Sequence, residues 1–278
     1  MADDRPNHGS DCGELDESDT KGRIRPSLGP TGPRPTRLVV VAGTGTEVGK
    51  TWVARRLLEA LRARGTTVAA RKPVQSFEPG DTTTDADELA AATGEDPLVV
   101  CPAHRRHEVA MAPPMAADAL GRPPIRLADL VDELAASWGP RTPPSSPPVD
   151  VGPVDVGLVD VGPVDVGLVE LAGGVRSPLA HDGDGIDLIG ALLPDSLVVV
   201  ADAGLGTINA VLTTLDSLGP LLRTGSVAPV IVHLNRYDDS VDLHRRNRDF
   251  LDHHLGRPTT TSIAALAAAL VAGPAPPG

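Results

Sequence analysis

Nine residues, Gly43-Thr44-Gly45-Thr46-Glu47-Val48-Gly49-Lys50-Thr51, constrain this chain more than any other stretch. They follow the apolar run Arg37-Leu38-Val39-Val40-Val41-Ala42, which suits a buried strand. They lead into residues 51–64, where Val53, Leu57, Ala60 and Leu61 recur at helical spacing until Gly65 offers a stop. A glycine-rich turn between a strand and a helix points successive backbone N–H groups inward, and the helix adds its positive dipole end. Such a turn cradles phosphate oxygens. The backbone from Gly45 through Thr46, Glu47, Val48 and Gly49 would form the cradle. Lys50 would reach the outer phosphates, and the Thr51 hydroxyl would help hold Mg²⁺. Five residues separate Gly43 from Gly49, one more than the strict G-x-x-x-x-G-K-[ST] pattern, because Thr stands at position 44.

A second strand is expected at Thr67–Ala70. Strand–turn–helix–strand is the unit of a parallel sheet, so the predicted fold is α/β, a mostly parallel sheet flanked by helices, P-loop NTPase-like. Further strands are expected at Leu197–Ala201 and residues 229–234. Helices are expected at Asp85–Ala92, Leu127–Ser137, Ile208–Leu218 and Val241–Leu255. Residues 1–36 are polar and aperiodic and read as a disordered leader, and residues 37–257 as one domain. A Pro/Ser-rich stretch and a pentapeptide repeat, VDVGP-VDVGL-VDVGP-VDVGL from Val149 to Leu168, read as a low-complexity insertion over about 139–165, with only Val166–Val169 of the last copy needed in the sheet. Residues 258–278 are rich in Ala and Pro and read either as an Ala helix or as a frayed tail.

Only three of the 25 basic residues are lysine, Lys21, Lys50 and Lys72, so each one invites a specific explanation. Lys72 begins the segment Lys72-Pro73-Val74-Gln75-Ser76 at the carboxyl edge of the second strand, where ligands gather in parallel sheets. A second ammonium there suits phosphoryl transfer, which needs charge offset on the transferring group. Asp85 opens a helix after Thr82-Thr83-Thr84 and is either its N-cap or a Mg²⁺ ligand. Glu170 follows an apolar strand. It is either exposed where the strand emerges or buried against a cation, because a bare buried carboxylate is costly. Gly204-Leu205-Gly206-Thr207-Ile208-Asn209 is another strand–glycine–helix junction with free N–H groups suited to a carboxylate. Asn235 ends a strand and either reads an adenine edge or simply terminates the strand. His104, His107, His244, His253 and His254 have charged neighbours and read as surface residues.

The formal net charge of −12 disfavours nucleic acid as a partner. No apolar run of roughly 18 residues is present to span a membrane. The start of the sequence lacks the basic-then-apolar pattern of a secretory signal. Cys12 and Cys101 lie far apart with no metal-ligand spacing. Together these features point to reduced thiols and a cytoplasmic setting.

These motifs, in this order, resemble the dethiobiotin synthetase family. Its pattern G-T-[DN]-T-E-V-G-K-T matches Gly43–Thr51 with the same extra residue. K-P-V-x-S matches Lys72–Ser76, V-E-G-A-G-G matches Val169–Gly174, and G-x-L-G-x-I-N matches the turn ending at Asn209. The resemblance spans about residues 37–257. It implies an ATP- and Mg²⁺-dependent ligase that closes a cyclic urea on 7,8-diaminopelargonic acid with CO₂, working as a homodimer. By the same resemblance Lys50 and Lys72 stabilise the γ-phosphate and carbamate, and Thr51, Asp85 and Glu170 organise Mg²⁺. Thr46, Glu47 and Ser76 line the reaction centre. Gly206, Thr207 and Asn209 hold the substrate carboxylate across the dimer interface, and Asn235 holds adenine. The chain departs from the pattern at Gly45, where Asp or Asn is usual, and at Leu171, where Gly is usual and a bulky side chain beside Glu170 would either alter the backbone conformation or narrow the site. A P-loop ATPase of the partitioning type is a competing reading, although the early loop lysine of that class is missing. A catalytically silent nucleotide-binding paralogue is the other.

Overall fold

The computed structural model describes residues 34–138, 164–223 and 230–272. Most of the leader, the Pro/Ser-rich stretch and the first three repeat copies lie outside these residues. The central sheet has five strands, all parallel: β1 (Arg37–Gly43), β2 (Val68–Arg71), β5 (Val166–Gly174), β8 (Ser196–Asp202) and β9 (Val230–Asn235), in the order β2-β5-β1-β8-β9. Two small pairs accompany it. β3 (Gln75–Ser76) lies parallel to β4 (Arg106–His107), and β6 (Pro178–Ala180) is antiparallel to β7 (Gly183–Asp184).

The helices among the described residues are α1 (Lys50–Arg62), α2 (Asp85–Thr93), α3 (Pro97–Val100), α4 (Pro113–Ala119), α5 (Leu127–Ala136), α6 (Gly185–Leu192), α7 (Thr207–Arg223), α8 (Asp242–Leu255) and α9 (Ile263–Ala272). The sheet is covered on both faces, as all-parallel sheets require. Along β1, Leu38, Val40 and Ala42 enter one apolar cluster with residues of α5, α6, α7 and α8. Val39 and Val41 enter the other, with residues of α1, α2 and α9. The period-2 geometry of a strand produces this division.

The last repeat copy does structural work before β5 begins. Val164 accepts a hydrogen bond from the Thr36 N–H at 2.8 Å, and the Asp165 carboxylate accepts from both the N–H and the hydroxyl of Thr67 at 2.8 and 2.7 Å. That clamp sets the register at the head of β2, where Val68 pairs with Val166. The strand then runs on to Gly174, well beyond the Val169 that the sequence alone required.

Near the C-terminus, Leu266, Ala267 and Leu270 of α9 are buried in the second cluster. The helical alternative for this Ala-rich stretch is therefore the one adopted over Ile263–Ala272. The chain enters it along β9, where Thr260 N–H donates to the Val232 carbonyl at 2.9 Å.

Candidate functional site

Parallel strands deliver their following loops to one edge of the sheet, and the chemistry collects there. The loop after β1 runs from Thr44 to Gly49. Gly49 has φ +88°, and a Cβ on it would stand 2.1 Å from the Asn235 Nδ2, so only glycine fits. Glu47 also adopts the left-handed region, φ 58°. Two braces from the end of β9 hold this backbone. Asn235 donates to the Val48 carbonyl at 2.9 Å, and Arg236 donates to the Glu47 carbonyl at 3.0 Å. Arg236 is in turn paired with Asp202 at 2.8 Å.

A cleft of about 630 Å³ opens beside this loop. Lys50 and Lys72 both line it, with Thr46, Glu47, Gly49, Thr51, Ser76, Asp85 and Glu170. Lys50 Nζ donates to the Gly45 carbonyl at 2.8 Å. Burial, and then the neighbouring Lys72 charge, lower its pKa to about 8. Lys72 is buried, with Nζ 2.5 Å from Glu170 Oε1 and 2.6 Å from Asp85 Oδ2. Burial works against its charge, but the two carboxylates prevail and raise its pKa, so it stays an ammonium ion.

The structure shows that Asp85 is not the helix cap and that Glu170 is not exposed. The N-cap of α2 is Thr84, which forms a capping box with Asp87, and this leaves the Asp85 carboxylate turned to the cleft. Gln75 orients that helix start. It donates to the Thr84 hydroxyl at 3.1 Å and accepts from the Ala86 N–H at 3.1 Å. Glu170 is fully buried against Lys72. Its burial raises its pKa and the ammonium ion opposes the rise.

The Thr51 hydroxyl lies 2.8 Å from Asp85 Oδ1 and 2.8 Å from Glu170 Oε1. It has one proton for two acceptors, and Glu170 Oε2 is buried with no hydrogen-bond partner. Asp85, Glu170 and the Thr51 hydroxyl gather hard oxygen donors in one place, and such donors fit a divalent cation such as Mg²⁺. Among the described residues no group of three or more His, Cys, Asp and Glu forms a metal cluster. A Mg²⁺ site built from one hydroxyl, two carboxylates and substrate phosphates does not need one.

Ser76 lines the same cleft with its Oγ buried and unpartnered. Sequence reasoning gave no role to Ser177, Met111 or Pro113, which also line it. No local pattern marks them, because they arrive from the turn between β5 and β6, the segment before α4, and the first turn of α4. The turn before α7 is not brought to this cleft within one chain. Gly206 and Asn209 are exposed elsewhere at the sheet edge, and Thr207 Oγ1 is buried without a partner. Asn247 of α8 braces that turn by donating to the carbonyls of Ala203 and Gly204 at 3.0 and 2.9 Å.

Two expectations are corrected. Leu171 does not narrow the site. Alternation along β5 turns it away from Glu170 into the core on the opposite face of the sheet, where it is fully buried. His107 is not a surface residue. It is buried, its Nδ1 lies 3.2 Å from the Arg105 carbonyl, and burial lowers its pKa. At Gly45 a Cβ would meet nothing within 4 Å, so the departure there leaves open space rather than a strained loop.

A parallel sheet, a glycine loop leading into a helix through Gly-Lys-Thr, and a lysine–carboxylate cluster at the sheet edge define a P-loop nucleotide-binding protein. The chain is 34% identical over 205 residues to the ATP-dependent dethiobiotin synthetase BioD of Caulobacter sp. K31, covering 73% of this chain and 77% of that one. It is 38% identical over 196 residues to the protein of the same name from Caulobacter vibrioides NA1000, covering 69% and 77%. To that of Haloferax mediterranei it is 31% identical over 221 residues, covering 80% and 81%. This chain belongs to the ATP-dependent dethiobiotin synthetase family. No protein-family model matches it. Among solved structures it aligns with a ParA family ATPase from Chlorobium tepidum at 16% identity and TM-score 0.45, covering 85% and 88%, too distant to bear on function.

Proposed function

We propose that the chain is a dethiobiotin synthetase acting on 7,8-diaminopelargonic acid, CO₂ and ATP. The observation that supports it best is the convergence of Lys50, Lys72, Thr51, Asp85 and Glu170 in one cleft with an unpartnered serine hydroxyl. One amine of the diamine adds to CO₂, losing a proton and forming a carbamate. The carbamate oxygen takes the γ-phosphoryl group, releasing ADP. The second amine then attacks the carbamoyl carbon, the C–O bond to phosphate breaks, and the cyclic urea closes.

Lys50 and Lys72 offset charge on the transferring phosphoryl group and the carbamate. Thr46, Glu47 and Ser76 position the reacting groups. Thr51, Asp85 and Glu170 would hold Mg²⁺, which when bound neutralises and orients the phosphate oxygens. Asn235 lies toward the base end. Gly206, Thr207 and Asn209, remote from the cleft in one chain, suit a substrate carboxylate reached from the other copy of a homodimer. The buried free thiol of Cys101 is consistent with a cytoplasmic setting. Among the described residues no helix is long and apolar enough to cross a membrane.

The test is phosphate release with each reactant omitted in turn. Release that requires both diamine and bicarbonate supports the ligase. Release without the diamine points to a partitioning-type ATPase, and no release at all to a silent paralogue.

A pH prediction follows from Lys50. Its pKa of about 8 in the free protein means the ammonium is lost as pH rises through that value. A bound polyphosphate favours the charged form and raises the pKa again. Affinity for ATP should therefore fall as pH rises above about 8, by at most about tenfold per unit, with proton uptake on binding. Calorimetry in two buffers of different ionisation enthalpy measures that uptake. Equal affinity at pH 7 and pH 9 overturns the assignment of Lys50 to the phosphates.

A further inference from the structure

A second cleft, about 360 Å³, opens on the other side of the same loop, and Gly49 lines both. Trp52, His233, Asn235, Tyr237 and Ile263 line it. The chain has only five aromatic residues of the Phe, Trp and Tyr types in 278 positions, yet two of them meet here.

The other tryptophan, Trp138, has a structural task, since it is packed in the core with the Arg71 guanidinium 4.6 Å from its ring centroid. Trp52 has none of this kind. It stands in the first turn of α1 with 47% of its surface exposed, belongs to neither apolar cluster, and takes part in no ring stack or cation–π pair among the described residues. A large apolar ring left half in water beside a phosphate-binding loop is a surface waiting for a planar partner.

The polar groups in this cleft are partly committed to the protein itself. His233 Nδ1 lies 3.0 Å from the Thr260 hydroxyl, and burial lowers its pKa to about 4, so it is neutral. Asn235 spends one amide N–H on the Val48 carbonyl. Asn235 keeps its second amide N–H and its Oδ1 for a base edge, and the exposed indole adds a stacking face.

We propose that Trp52 is the platform on which the nucleobase stacks, so that the base contributes to nucleotide affinity mainly through its π-face, purines more than pyrimidines. The proposal rests on the reading of Gly43–Thr51 as a triphosphate cradle. A nucleotide whose phosphates lie in the first cleft passes Gly49 and lays its base in the second.

The experiment compares ATP, CTP and inorganic tripolyphosphate by calorimetry on the wild type, Trp52→Ala and Trp52→Phe, with intrinsic fluorescence in parallel. Trp52→Ala should weaken ATP about tenfold, narrow the gap between ATP and CTP, and leave tripolyphosphate unchanged. Trp52→Phe should recover most of the loss, and ATP should quench the fluorescence of the wild type but not of Trp52→Ala. Wild-type ATP affinity in Trp52→Ala overturns the platform while the cradle stands, and so does an equal loss for ATP and tripolyphosphate. Failure of the wild type to bind either ligand overturns the cradle, and the platform with it.

Discussion

Replacing Lys72 with alanine should damage turnover far more than ATP binding, and should also destabilise the fold at neutral pH. The reason lies in what this ammonium touches. It sits between Glu170, which is wholly buried, and Asp85. Removing it leaves the Glu170 carboxylate buried without its cation, a loss of about 3–5 kcal/mol for a broken buried pair. Protonation of the carboxyl limits the cost. Without Lys72 the folded-state pKa of Glu170 rises further above the unfolded value of 4.5. The penalty is thus absent below that value and grows as pH rises above it. Thermal melts of Lys72→Ala at pH 4.5 and pH 7.5 should diverge from wild type chiefly at the higher pH. The double variant Lys72→Ala/Glu170→Gln should regain much of the lost stability without regaining turnover. Normal turnover in Lys72→Ala removes this lysine from the reaction.

Lys50→Ala should abolish phosphate release, with a loss on the order of 10³-fold or more, because a positioned cation acts on charge that develops during transfer. This variant should be nearly neutral for folding. Lys50 spends only one hydrogen bond on the protein, to the Gly45 carbonyl, and its lowered pKa shows that the folded state does not favour its charge. The two lysines therefore share a loss of turnover and differ otherwise: Lys72 also affects stability, and Lys50 phosphate affinity. A melting curve and a coupled phosphate assay on each variant separate them. A Lys50→Ala protein that hydrolyses ATP at the wild-type rate would overturn the phosphate assignment.

The five sheet strands could be placed from the sequence because each is an apolar run too short for a helix and ends in a glycine, an asparagine or a charged residue. The first loop was legible because its residue types serve one chemistry. What escaped did so for physical reasons. Helix α4 carries Pro113 and Pro114, which read as breakers, yet proline is well tolerated in a first helical turn, where its missing N–H would have no partner. Helix α6 spans eight residues, too few for a helical period to stand out. His107 has charged neighbours, but in a strand the neighbours of a buried residue face the other way.

Leu171 shows the same rule from the other side, since adjacency to Glu170 in sequence means opposite faces in β5. Gln75, Asn247 and Arg236 hold the site's backbone from a distance, and no spacing rule announces such a brace. Scarcity was the most informative signal. Two rare lysines led to the cleft beside the first loop, and the same logic applied to rare aromatics leads to Trp52.

The register of the sheet links the cleft to the history of each molecule. Arg37 of β1 pairs with Val166 of β5, and Val39 with Ser196 of β8, so the central strand is completed only when distant parts of the chain arrive. Until β5 stands between β2 and β1, Glu170 cannot meet Lys72, and the cleft is incomplete. Occupancy therefore rewards only finished molecules, by about 2.7 kcal/mol when the nucleotide stands at a hundred times its dissociation constant. On the proposed function, a low supply of nucleotide would leave more of this protein open to proteolysis.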